Sequence, residues 1–162
     1  MNRRTTLMLT GMALLGLAAA TLPDLGFAQS NPLIGTWKLN LDKSKFSPGT
    51  APRSGTLNYQ QDGQNFSVTG QFTDAEGRSR TTAFMYTLDG QPHPNSGIPG
   101  VDETAATRAD ANTVIFGRFK DGKLVAVGTS VVSPDGKAMT FNTTGTGSIL
   151  ASATGITVWD KQ

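Results

Sequence analysis

The sequence predicts an all-β fold: a single antiparallel up-and-down β-barrel of about 8–10 strands after an N-terminal signal peptide. Three observations carry this. Five acidic-glycine steps, Asp62-Gly63, Glu76-Gly77, Asp89-Gly90, Asp121-Gly122 and Asp135-Gly136, punctuate runs in which apolar and polar residues alternate. Glycine reaches φ > 0 without a Cβ clash, as tight hairpins require, so each step reads as a turn between half-buried strands. No stretch beyond the first 28 residues has the apolar period of a helix. Cysteine is absent, so an exported chain must be held by a hydrogen-bonded sheet around a core rather than by disulfides.

The N-terminus comes first. Arg3 and Arg4 form a basic region, Leu7 to Leu22 an apolar one, and Gly26-Phe27-Ala28 supplies the small residues that a signal peptidase reads. Residues 1–28 are therefore expected to be a cleaved signal directing the protein to the periplasm or the extracellular space. Thr10, Gly11 and Gly16 interrupt the apolar stretch and argue against a membrane anchor, so no integral membrane segment is expected after cleavage. Thr6 stands where a twin-arginine signal carries a large apolar residue, which favours the ordinary secretory route.

Residues 29–162 are expected to form one barrel domain. The chain has 14 Lys and Arg against 12 Asp and Glu; without Arg3, Arg4 and Asp24 the balance is 12 to 11, with no basic run to suggest a nucleic-acid partner.

A first strand is expected from Leu33 to Leu41, followed by a long connection from Lys43 to Ser54 that contains Pro48, Gly49 and Pro52. Taking Asp62-Gly63 as a two-residue loop sets Tyr59 opposite Phe66 and Leu57 opposite Val68. A bulged turn over Asp74-Ala75-Glu76-Gly77-Arg78 sets Phe66 opposite Tyr86, Val68 opposite Phe84 and Phe72 opposite Arg80. One face then carries Leu57, Tyr59, Phe66, Val68, Phe72, Phe84 and Tyr86; its reverse is polar apart from Met85. The segment from Asp89 to Val101, with three prolines, is a loop long enough to be a lid or rim.

A short strand follows from Glu103 to Arg108. Asp121-Gly122 as a two-residue loop sets Phe116 opposite Val127 and Arg118 opposite Val125, while Ser133-Pro134-Asp135-Gly136-Lys137 sets Val131 opposite Met139 and Thr129 opposite Phe141. The outer side then collects Ile115, Phe119, Leu124 and Val132. The long loop, the terminal strand or a homo-oligomeric contact would cover such a patch. The last strand runs from Gly155 to Lys161.

The first strand reads Ile34-Gly35-Thr36-Trp37-Lys38-Leu39-Asn40, which resembles the Gly-x-Trp opening of the lipocalins and the wider calycin barrels. With Lys43-Ser44-Lys45-Phe46 and the Val132 to Lys137 turn, the chain also resembles a poorly characterised group of exported bacterial proteins with lipocalin-like barrels. In lipocalins this tryptophan closes the barrel base and usually packs under a C-terminal arginine; here the last strand offers Trp159 and Lys161. The resemblance implies a small apolar ligand in the barrel; the ligand expected for this chain is a small hydrophobic or amphipathic molecule, and no cofactor is expected.

Two readings of the inner face stand side by side. Trp37, Tyr59, Phe66, Phe84, Tyr86, Phe116 and Phe141 either fill the interior, or line a pocket floored by Trp37 in which the two tyrosine hydroxyls orient a ligand. Arg118 and Arg80 also fall on that face. A guanidinium does not lose its charge, so each must reach solvent at the rim, the simpler reading, or meet an anion such as the carboxylate that arginine binds in fatty-acid-binding barrels. His93, the sole histidine, sits in Gln91-Pro92-His93-Pro94 and reads as a loop residue, or as a base on a lid with Asp102 or Glu103. With no thiol and one imidazole there is no metal motif, and no nucleophile elbow, phosphate loop or dinucleotide fingerprint occurs. The sequence thus points to a non-enzymatic carrier. An envelope interaction module with a filled barrel, or a cofactor-independent isomerase or lyase using the cavity, are the alternatives.

Overall fold

The computed structural model describes residues 31–47, 50–146, 148–150 and 154–162. The expected signal peptide lies outside them, as do Pro48 and Gly49 of the first long connection. No described residue is helical. The strands are β1 (Gly35–Ser47), β2 (Ser54–Asp62), β3 (Asn65–Thr73), β4 (Ser79–Thr87), β5 (His93–Pro94), β6 (Glu103–Arg108), β7 (Thr113–Lys120), β8 (Lys123–Val132), β9 (Ala138–Gly145) and β10 (Thr154–Lys161). They form one sheet in the order β4-β3-β2-β1-β10-β9-β8-β7-β6-β5, antiparallel throughout. Because β10 pairs with β1, the meander rolls into a barrel, open along one seam between β4 and β6.

The loop from Asp89 to Val101 straps that seam. Asp89 bridges to Thr107, the Gly90 amide donates to the Ala106 carbonyl at 2.9 Å, and β5 pairs with Thr104 and Glu103. Buried Asn95 donates from Nδ2 to Thr104 Oγ1 at 2.8 Å, while the Thr82 hydroxyl on β4 donates to the Gly97 carbonyl. A Cβ at position 97 would overlap the Ala83 carbonyl oxygen, so only glycine lets the loop lie against β4. Ile98 and Val101 then turn into the core. The loop is therefore part of the wall, supplying partners for backbone groups that a bare seam would leave unpaired.

The glycine turns behave as the sequence requires: all five acidic-glycine steps place glycine at positive φ. At Asp121-Gly122 both residues are left-handed and Lys120 faces Lys123, the arrangement of a type I′ hairpin. The β3–β4 register is as expected, with Phe66 opposite Tyr86, Val68 opposite Phe84 and Phe72 opposite Arg80. In the β2–β3 hairpin the loop is Gly63-Gln64, closed by Asp62 and Asn65, so Tyr59 faces Val68 and Leu57 faces Gly70. That is a slip of two residues from the expected pairing, and an even slip keeps every side chain on its face.

Strand β8 is where the expected register fails. A bulge opens between Arg118 and Phe119, so Phe119 faces Leu124 as expected but Arg118 faces Ala126 and Phe116 faces Gly128, not Val125 and Val127. Across the next turn Val132 faces Met139 and Ser130 faces Phe141, not Val131 and Thr129. The two one-residue errors cancel at β9, where Met139 and Phe141 are buried as expected, but they invert β8. Val132 is 1% exposed, whereas Val127 and Val131 point outward. The outer apolar patch therefore comprises Ile115, Leu124, Val127 and Val131 beside half-buried Phe119, and Val132 is removed from it. We expect Val132→Lys to destabilise the fold by about 3 kcal/mol or more through an unpaired buried charge, and Val127→Lys to stay within about 0.5 kcal/mol. Urea midpoints of the two variants measure the difference.

Strand β1 is longer than expected. After Asn40 it loses register with β10 and recovers it at Lys45, so Lys43 to Ser47, read from the sequence as connection, lies in the sheet. Within the irregularity Ser44 Oγ donates to the Asn40 carbonyl at 2.6 Å and accepts from the Val158 amide at 2.9 Å, replacing one rung of the ladder. At the start of β1, Trp37 is fully buried and donates from Nε1 to the Leu33 carbonyl at 2.8 Å. Lys161 Nζ lies 5.0 Å from its ring centroid and donates to the Pro32 carbonyl at 3.0 Å. A lysine thus supplies the cation over this tryptophan.

Candidate ligand-binding site

Alternation on the strands brings Tyr59 from β2, Phe84 and Tyr86 from β4, Phe116 and Arg118 from β7 and Phe141 from β9 around one interior cavity. Thr104 and Ala106 of β6, Val114 of β7, Ser130 of β8 and Ile149 complete its wall. Of the residues singled out in the sequence, Trp37 and Phe66 are not in this wall. Trp37 belongs to the end of the barrel where β1 begins, and Phe66 stacks behind Tyr86 with centroids 5.2 Å apart and planes 12° apart. Phe84 stacks on the same tyrosine at 6.4 Å, and Phe116 tilts against Phe141 at 6.4 Å.

Arg118 is 5% exposed and lies inside the barrel, not at its rim. Its guanidinium carbon sits 4.6 Å from the Phe116 ring centroid. Loss of water pushes its pKa down to about 10, opposed by the nearby Tyr59 oxygen, and the group remains a cation at neutral pH. Burial also drives the Tyr59 phenol well above its ordinary range; proximity to Tyr86 adds to this and Arg118 works against it. Burial raises the Tyr86 phenol as well, with Arg108 opposing. Both tyrosines are therefore neutral donors. Ser130 Oγ, also buried, has no hydrogen-bond partner among the described residues. A cation, two phenols and a hydroxyl thus meet in an aromatic enclosure, suited to the polar head of an otherwise apolar molecule.

The enclosure is nearly full. Its free volume is about 30 Å³, room for one or two waters rather than a lipid. Ile149, which belongs to no strand, lines it as well, and the sequence reading did not single it out. The signal was present: Ile149-Leu150 is an apolar pair in a run, Gly145 to Gly155, otherwise made of Gly, Ser, Thr and Ala. Arg80 is half-buried outside this wall, 5.3 Å from the Phe72 ring centroid, and donates to the Ile149 carbonyl.

His93 does not join the cavity wall. Its Nε2 lies 2.8 Å from Asp89 Oδ2 on the seam strap, not against Asp102 or Glu103, and Asp102 pairs with Lys120 Nζ at 2.7 Å. The Asp89 carboxyl is held below its ordinary range first by the Gln91 amide and then by His93. Among the described residues no three His, Asp or Glu side chains converge as a metal site would require.

No protein-family model and no curated protein sequence matches the chain. Solved structures do match in fold. A Schistosoma mansoni fatty acid binding protein in complex with arachidonic acid aligns with TM-score 0.56 at 12% identity, covering 81% of this chain and 96% of that one. The fatty acid transporter REP1-NXSQ aligns at 0.54 and 16% identity, covering 80% and 96%. An extracellular fatty acid binding protein aligns at 0.53 and 11% identity, covering 82% and 97%. The chain thus shares its fold, a single antiparallel barrel, with these solved structures.

Proposed function

We propose that the protein is an exported carrier that binds a small amphipathic carboxylate inside the barrel, its tail against Phe84, Tyr86, Phe116 and Phe141 and its head at Arg118. The observation that carries this reading is a guanidinium 5% exposed within an apolar barrel, beside the Tyr59 phenol. A buried cation has a desolvation cost that an anionic ligand would offset, and the phenol can donate a second hydrogen bond to the same carboxylate. Likeness in fold to barrels solved as fatty acid binding proteins supports the choice of ligand class. The expected signal peptide at residues 1–28 supports export. Delipidated protein is expected to bind dodecanoate, and Tyr86→Ala to weaken it about tenfold by removing a wall of the tail site. Calorimetry on both proteins tests this, and absence of any heat of binding in the parent protein would sink the reading.

A second reading, an interaction module, is favoured by the outer patch of Ile115, Leu124, Val127 and Val131, where Leu124 is 56% exposed. On that reading the patch joins two copies of the chain. Leu124→Lys is then expected to convert a dimer into a stable monomer in sedimentation analysis, and a parent protein already monomeric at high concentration would exclude it.

A further inference from the structure

We propose that Ser130 reads a second polar group on the ligand, so that the acid taken by the barrel carries a hydroxyl on the part of its chain remote from the carboxylate; the proposal rests on the carrier reading above and names the class of its ligand. Ser130 is 4% exposed and lines the cavity, and its Oγ has no hydrogen-bond partner among the described residues. Other buried hydroxyls of the barrel are satisfied within the fold. Thr82 donates to the Gly97 carbonyl, Thr104 Oγ1 accepts from Asn95 Nδ2 at 2.8 Å, and Thr157 Oγ1 accepts from Trp159 Nε1 at 3.0 Å.

Packing does not account for the serine. Its inward neighbours on β8 are Ala126, Gly128 and Val132, whose side chains bring no polar group into the barrel. Alanine at position 130 would leave the wall nearly the same shape with nothing to satisfy, whereas an unpaired buried hydroxyl is unfavourable until something bonds to it. A ligand hydroxyl suits it well, because each hydroxyl can donate to or accept from the other.

The strand registers set where on the ligand that group must lie. Arg118 faces Thr104 on β6 and Ala126 on β8, whereas Ser130 faces Val114 on β7 and Phe141 on β9. Val114 and Arg118 are four positions apart on β7, roughly 13 Å of strand, and the Arg118 guanidinium lies over the ring of the intervening Phe116. Phe116 and Phe141, with centroids 6.4 Å apart, thus form the apolar middle of a chamber that is polar at both ends. A plain fatty acid held at Arg118 and Tyr59 brings only methylenes to Ser130. An acid hydroxylated on the far part of its chain matches both ends.

The experiment is calorimetry of dodecanoate and of 8-, 10- and 12-hydroxydodecanoate on the parent protein and on Ser130→Ala, with thermal melts of both proteins free of ligand. In the parent at least one hydroxy acid is expected to bind about fivefold or more tightly than dodecanoate, the effect of one added hydrogen bond in a buried site. In Ser130→Ala the ratio of the two affinities is expected to fall to about one, and the variant is expected to melt no lower than the parent, since no bond of the fold is lost. A parent that binds dodecanoate but prefers none of the three hydroxy acids overturns the proposal and leaves the carrier reading intact, the serine then being met by trapped water only. A preference that survives in Ser130→Ala also overturns it, because another group must read the hydroxyl. So does a melting temperature several degrees lower in the variant, which would reveal a structural partner for Ser130. If the parent binds none of the four acids, the carrier reading fails and this proposal with it.

Discussion

Replacing Phe66 with alanine is expected to lower the unfolding free energy by about 3 to 5 kcal/mol, a large part of the roughly 5 to 15 kcal/mol that holds a domain of this size. The ring is 1% exposed, faces Gln61 on β2 and Tyr86 on β4, and stacks on the latter with its plane only 12° away. Alanine would leave a void between two sheet neighbours that the ladders prevent from collapsing, and Tyr86 would lose the surface that sets its orientation. The urea midpoint should fall with little change in slope, since the surface exposed on unfolding is nearly the same. A loss below about 1 kcal/mol would mean that the barrel is loosely packed at this point.

Arg118→Met is expected to separate stability from binding. The folded protein holds this guanidinium at about 10, below its ordinary value, so folding disfavours its charged form. Below about pH 10 the cost is fully present, and it fades only as pH rises beyond that toward the ordinary arginine value, so it is constant across the neutral range. Methionine keeps much of the length, can pack on the Phe116 ring and has no charge to desolvate. The difference in stability between the free variant and the parent should therefore be flat between pH 6 and about pH 9. Dodecanoate affinity should fall by about tenfold or more, while an uncharged analogue such as dodecanol should bind at least as well as before. Thermal melts and calorimetry on the same preparations check both halves. Equal loss of acid and alcohol would show that Arg118 shapes the cavity without selecting the head group.

Hairpin chemistry made much of this architecture readable in advance. Positive φ at glycine and strict alternation in β2, β3 and β4 place Leu57, Tyr59, Phe66, Val68, Phe72 and Tyr86 inside, and a pairing error of two residues at Asp62-Gly63 could not change that. Strand β8 was not readable in the same way. Val125, Val127 and Val131 alternate with Ala126, Gly128 and Ser130, so its more apolar residues mark the wrong face; the bulge turns Val127 and Val131 outward and sets Gly128 beneath Phe116, whose ring a Cβ there would overlap.

The site divides along the same line. Six of the eight residues chosen from the sequence, Tyr59, Phe84, Tyr86, Phe116, Arg118 and Phe141, meet at one cavity because each lies on a strand whose inward parity the turns determine. Two matters depended on tertiary structure alone: whether Arg118 reaches the rim, and how full the chamber is. The first is settled by a barrel wall that rises around Arg118 with Ile149 beside it, the second by how closely the lining side chains from six strands approach one another. Local sequence controls which way a strand residue points, through φ, ψ and a period of two. How deep that residue lies, and what a loop puts in front of it, is decided only when distant strands close on one another, since the contacts that bury Arg118 and Ile149 come from residues far apart in the chain.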